Sequence, residues 1–192
     1  MKTWHWIAIG TGTAILITVL NRYRVMSNLK KDQLTKNFNL SEFVQTATGI
    51  ENIPGPVEIN NLKALAVNVL QPARNAVAKS FPGAQIIWKI TSGYRSQLVN
   101  AAVGGSTTSQ HPKGEASDNQ VFVNGVQLSN LELIGIIRAS GIPFDQMIDE
   151  ELKGKKWVHL SYSQSRQRRQ LMTARDGANG ETVYKTISGP LS

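Results

Sequence analysis

The sequence predicts an α+β fold, with helices packed on one mostly antiparallel sheet and a single N-terminal transmembrane helix ahead of it. Three observations support this. Trp4 to Leu20, "WHWIAIGTGTAILITVL", contains no charged residue. Between Ile59 and Val77, apolar residues recur at mostly three-and-four spacing, the period of an amphipathic helix. In the second half, short β-branched and aromatic runs alternate with glycine turns, which is how strands of a sheet read.

Taken in order, the first run is long enough for one membrane crossing, since a hydrocarbon core of about 30 Å takes roughly 17 to 25 apolar residues. Trp4 and Trp6 at one end and Tyr23 at the other suit interfacial anchoring. The bulky, basic "NRYRVM" that follows is unlike the small-residue cleavage site of a signal peptide. Residues 1–24 are therefore expected to be a membrane anchor and 25–36 a basic tether. A globular domain is expected over 37–175, with a tail at 176–192.

Within the domain, Ser41 is positioned to cap a short helix near Glu42, and Pro54 and Pro56 break it. The amphipathic helix carrying Ile59, Leu62, Leu65, Val69, Leu70, Ala73 and Val77 is expected to be interrupted at Pro72. "AQIIWKITSGYRS" reads as a buried strand and a glycine turn, and "QLVNAAVGG" as a brief helix closed by Gly104 and Gly105. "EASDNQVFVNGVQLSN" reads as a strand turning at Asn124-Gly125. Ser129 caps the helix "NLELIGIIRAS", with Gly141 past its end. "FDQMIDEE" and "KKWVHLSYS" complete the sheet as a hairpin.

A chain of 192 residues supports one domain plus an appendage. It has no cysteine, so disulfides, thiolate zinc sites and cysteine nucleophiles are excluded, and any metal must be held by His, Asp or Glu. The net charge of +8 is concentrated at the start: Lys2, Arg22, Arg24, Lys30 and Lys31 face no acid within residues 1–31, leaving +3 for the rest. That is the pattern of a membrane flank rather than of a nucleic-acid surface. Arg166, Arg168, Arg169 and Arg175 have no aromatic stacking platform beside them, so no nucleic-acid partner is expected.

Three histidines occur, and His5 belongs to the apolar run. His111 lies in "SQHPKGEASD" with Asp118 seven residues on, and His159 lies in the strand pattern "WVHLSY", sharing a face with Trp157 and Ser161. Taken alone, His159 reads as a partly buried histidine satisfied by a carbonyl. Taken together, two histidines and a carboxylate are the donor set of a catalytic zinc site, which keeps its fourth position for water. His111 and Asp118 are too far apart for one helical turn, so a loop bending at Gly114 would have to bring them together.

"SGYRS" (92–96), "AVGGSTTSQHPKGEASD" (102–118), "PFDQMI" (143–148), "WVHLSY" (157–162) and "RQRRQL" (166–171) resemble, in sequence and order, the zinc D-Ala-D-Ala carboxypeptidase-like metallopeptidases. That family includes cell-wall peptidases and phage endolysins and shares its fold with the hedgehog signalling domain, and the small phage-associated branch is most similar. The likeness spans about residues 37–172.

The resemblance implies that His111, Asp118 and His159 bind zinc, that Arg95 helps bind and turn over substrate, and that Ser109 and Gln110 shape the substrate pocket. It also implies that peptidoglycan stem peptides are the substrate, cut by D,D-carboxypeptidase or endopeptidase action. Where several members carry a glutamate three residues before the last histidine, this chain has Lys156. Glu150 is the first candidate for the general base, followed by Glu115 and Glu151. Lys156 also motivates a second reading, an inactive cell-wall-binding or virion membrane protein that keeps the fold.

Positive charge after the anchor would place the domain on the cytoplasmic side, away from any wall. A bacterial cell envelope or the membrane of a lipid-containing virion is the expected location.

Overall fold

The computed structural model describes residues 32–187. The expected anchor and residues 25–31 of the tether lie outside them. Among the described residues no helix is long and apolar enough to cross a membrane.

The chain opens with a small ribbon, β1 (Gln33–Thr35) against β2 (Phe38–Asn39), followed by a one-turn helix α1 (Leu40–Phe43). Then come α2 (Pro56–Leu65), a π-helical turn (Ala66–Leu70) and α3 (Gln71–Ser80). β3 (Ile86–Ser92), α4 (Gln97–Ala102), a 3-10 turn (His111–Lys113), β4 (Ala116–Val123) and β5 (Val126–Gln127) follow. The chain continues through α5 (Asn130–Ala139), β6 (Gln146–Leu152), β7 (Lys155–Ser161), β8 (Gln170–Asp176) and β9 (Thr182–Thr186).

The main sheet runs β3-β4-β7-β6-β8-β9, with β5 paired to β4. All pairs are antiparallel except β6 with β8. β8 skips past β7 to add on the far side of β6, so it must run parallel to β6. Two tight turns place left-handed backbone where the sequence offers it: Asn124-Gly125 (φ 50° and 82°) and Lys153-Gly154 (φ 51° and 70°). This double-positive pattern matches the right-handed twist of a two-residue hairpin.

Alternation along the strands separates the two faces of the sheet. Val121, Met147, Val158 and Leu160 bury against Leu62, Leu65, Val69, Leu70, Ile134 and Ile137 of the helices, forming the core. Trp88 joins them, its ring edge-on to Phe38 at 6.0 Å and its N–H donating to Asn119 Oδ1 at 2.9 Å. The alternate residues Asp118, Ile148, Glu150 and His159 therefore fall on the other face.

Four sequence expectations change. The Asn39 N–H, not Ser41, anchors the start of α1, donating to Glu42 Oε1 at 2.7 Å. Pro72 does not interrupt its helix: the preceding π turn, in which the Gln71 N–H reaches Ala66 O, feeds Pro72 into the first turn of α3, where its missing N–H costs little. The tether gives way to structure by residue 33, because Leu34 is buried. The sheet continues past 175 through β9, so most of the expected tail belongs to the folded unit.

Candidate metal centre

His111 is delivered by a loop clipped at several points. Gly114 (φ 68°) ends the 3-10 turn, and an added Cβ there would lie 2.4 Å from Glu58 O, so only glycine fits. The "SGYRS" turn holds the loop from the other side. Gly93 O accepts from His111 Nδ1 at 2.6 Å, and the Arg95 N–H donates to His111 O at 3.4 Å. Gly93 is also required sterically, since a Cβ would lie 2.5 Å from Phe43 O. Because Nδ1 is committed to a carbonyl, it carries the proton, and Nε2 is left with its lone pair.

β4 and β7 supply the other two groups, with Asp118 directly opposite His159 in the register. Asp118 Oδ1 lies 3.3 Å from His111 Nε2 and 3.1 Å from His159 Nδ1, and the two imidazole rings meet edge-on at 5.1 Å. All three residues are buried, and one donor atom from each falls within 4.8 Å of the others. Arg95 grips the second oxygen, NH2 to Asp118 Oδ2 at 2.5 Å, while its Nε donates to Ser92 Oγ at 2.8 Å.

The electrostatics favour ligands over ions. Burial lowers the His111 pKa, and Asp118 only partly opposes this, so the imidazole is neutral near neutral pH. Burial alone would raise the Asp118 carboxyl, but the two imidazoles override it and hold it well below the usual carboxylate range. Two imidazoles and one carboxylate, with a fixed tautomer on His111 and the carboxylate's second oxygen restrained by Arg95, fit a zinc ion in donor type and number.

Glu150 stands on the same face, two residues along β6 from Ile148, which faces His159. Burial raises its pKa from an ordinary 4.5 to about 7. The Asp118 charge adds to the rise, and His159 and Arg95 oppose it. The buried indole N–H of Trp157, its partner across the strand pair, makes no closed hydrogen bond and favours the ionised form only slightly. Asn130 braces the pair from the helix face, donating to Glu150 O at 3.1 Å, Trp157 O at 2.8 Å and Asp149 Oδ1 at 2.7 Å.

The other expected residues lie elsewhere. Glu115 accepts from Ser163 Oγ at 2.8 Å and Gln110 Nε2 at 3.2 Å. Glu151 pairs with Lys156 at 3.2 Å on the helix face. An offset of three along an unbroken strand puts residue 156 on the face opposite His159, whatever its identity. Ser109 Oγ accepts the His111 N–H at 3.3 Å, and buried Gln110 meets Arg168 at 3.3 Å, so both shape the loop from behind.

The arginine cluster is structural. Arg168 forks onto the fully buried Asp145, with contacts down to 2.6 Å, and Arg166 approaches the same carboxylate at 3.6 Å. Arg175 pairs with Asp149, and Arg169 lies over the Phe144 ring at 5.5 Å.

Sequence reading missed Asn52, whose amide ties Val44 O, Tyr94 O and Ser96 N together behind the "SGYRS" turn. It also missed Asn130. Neither has a motif, because a bracing amide is defined only by distant backbone partners.

A buried two-histidine, one-aspartate cluster with a glutamate on the same sheet face is the donor set of a candidate zinc centre. The family model described as Peptidase M15 matches residues 36–161, and the chain belongs to that zinc-dependent family, in agreement with the likeness carried by its motifs. Among solved structures, the chain is similar to the Serratia marcescens L-Ala D-Glu endopeptidase ChiX, at 20% identity and TM-score 0.31, over 62% of this chain and 96% of that one. No curated protein sequence matches.

The Glu150 environment gives a stability signature. An acid whose folded pKa of about 7 stands above its ordinary 4.5 contributes stability that is complete below pH about 4.5 and lost as the pH rises through about 7. In metal-free protein, Glu150→Gln is therefore expected to gain stability relative to wild type across that window, by up to about 3 kcal/mol. Urea unfolding at a series of pH values checks this, and a pH-independent difference would contradict it.

Proposed function

We propose that this chain is a zinc peptidase that hydrolyses a peptide bond in peptidoglycan stem peptides. The observation that supports it best is the buried His111, Asp118 and His159 cluster with Glu150 on the same face of the sheet. A bound zinc ion supplies Lewis-acid polarisation of the scissile carbonyl and makes water easier to deprotonate near neutral pH.

In this reading, His111 Nε2, His159 Nδ1 and Asp118 Oδ1 hold the metal. Arg95 keeps Asp118 oriented through Oδ2, and its guanidinium lies at the edge of the site, where it also meets a substrate oxygen. The Glu150 carboxylate takes the proton from the attacking water and delivers it to the leaving amine. Its raised pKa suits both tasks, since a group titrating near the working pH accepts and donates with similar ease.

The reading of the chain as an inactive binder rested on Lys156, which lies on the opposite face and pairs with Glu151, so that argument loses its force.

Zinc-loaded protein is expected to release stem-peptide fragments from peptidoglycan: terminal D-Ala for carboxypeptidase action, or internal fragments for endopeptidase action. Glu150→Gln should lower kcat by ~10²- to 10⁴-fold while retaining zinc, and Lys156→Ala should leave kcat unchanged. Normal turnover by Glu150→Gln would overturn the assignment of the base, and zinc-loaded wild type inert on several wall types would overturn the function.

The uncharged run from Trp4 to Leu20 supports tethering of this domain to a membrane through residues 1–24, in a bacterial envelope or a lipid-containing virion. Added protease should digest the domain in spheroplasts or intact particles, and complete protection in both would contradict an outward-facing domain.

A further inference from the structure

Beyond residue 161, where the family match ends, the sheet gains two strands, and the last carries a residue that faces the site. In the β8-β9 register Tyr184 lies opposite Ala174, and in the β6-β8 register Ala174 lies opposite Glu150. Glu150 in turn lies opposite Trp157. Tyr184, Ala174, Glu150 and Trp157 thus form one row across the sheet, all on the face that carries the metal cluster, one register step from the row of Ile148, His159 and Asp118.

Strands in a sheet are about 4.8 Å apart, so the Tyr184 backbone is roughly 10 Å from that of Glu150. The residue between them is a fully buried alanine, and its methyl leaves room for a long side chain to lie over it. Tyr184 itself is 51% exposed, open to a ligand arriving from solvent.

We propose that Tyr184 is a substrate-contacting residue whose phenol O–H donates a hydrogen bond to a carbonyl or carboxylate oxygen of the bound stem peptide, on the side of the site away from Arg95. This rests on the peptidase reading above. Arg95 leaves the loop after β3 and Tyr184 projects from β9, the two ends of the strand order, so together they bracket the cluster. Burial raises the phenol above its ordinary pKa of 10. The Glu150 and Asp118 carboxylates raise it further and Arg95 opposes them, so the hydroxyl stays protonated as a donor near neutral pH. A tyrosine that merely covered a sheet edge would use its ring and have no need of its hydroxyl, which makes the phenylalanine variant decisive.

The test uses zinc-loaded wild type, Tyr184→Phe and Tyr184→Ala with a defined stem peptide. Steady-state kinetics is run beside zinc content, thermal unfolding, and equilibrium binding of the same peptide in a Glu150→Gln background. Tyr184→Phe is expected to keep its zinc and melting temperature, to lose about 10- to 100-fold in kcat/KM, and to bind the peptide more weakly. Wild-type kinetics and binding in Tyr184→Phe overturn the proposal, including the case in which only Tyr184→Ala is impaired, which would assign the effect to the ring. Those outcomes leave the peptidase reading standing. A wild type that neither hydrolyses nor binds stem peptides overturns both.

Discussion

The Asp118 carboxylate, shared between two imidazoles and a guanidinium and almost wholly out of water, is the interaction on which the rest of the structure depends. An isolated carboxylate in that position would be strongly disfavoured. It is tolerated because Arg95 pairs with Oδ2, while Oδ1 faces the two imidazole nitrogens at 3.1 and 3.3 Å across the place a cation would fill. Each partner comes from a different part of the chain: His111 from the glycine-hinged loop, His159 from β7 and Arg95 from the turn after β3. Satisfying one buried charge therefore fixes three segments relative to one another. The same arrangement leaves His111 Nε2 and His159 Nδ1 both close to Asp118 Oδ1, a group that could hold a metal ion.

The two faces of the sheet divide the work. One face is closed by helices and holds the apolar core; the other carries Asp118, His159, Glu150 and Tyr184. The division extends to charge. Asp149 and Lys156, adjacent in sequence to site-face residues, turn to the helix side, where Asp149 meets Arg175 and Lys156 meets Glu151. The buried Asp145, paired with Arg168, joins the start of β6 to the segment before β8, and Arg168 reaches Gln110 in the loop that carries His111. Removing Arg168 would leave the Asp145 charge buried with a weaker match. Arg166, Arg168 and Arg175 each keep part of their side chain in solvent while meeting a buried carboxylate of the fold.

The features most legible in the sequence were those governed by local rules. Period-two strands, the Asn124-Gly125 turn and the Ser129 cap need only neighbouring residues, and they fall where expected. The ligand candidates came from the ordered motifs that resemble the zinc peptidase family, and the structure brings His111, Asp118 and His159 together in one buried cluster. What could not be read depends on partners far away. Pro72 looks like a helix break until the π turn before it is known. Lys156 looks like a lost catalytic acid until the unbroken strand shows which way it points. β9 looks like a tail because "TVYKT" is too short and polar to announce a strand, and it becomes one only by pairing with β8. Tyr184 is invisible for the same reason, since its relation to Glu150 exists only through the register of three strands.

The most direct test of the account is zinc titration of the metal-free domain, with X-ray absorption spectroscopy of the loaded protein. The account predicts one zinc per chain, bound by two imidazole nitrogens and one carboxylate oxygen with a further light ligand, and lost in Asp118→Ala. Failure to take up zinc, or a ligand shell without two imidazoles, would contradict it.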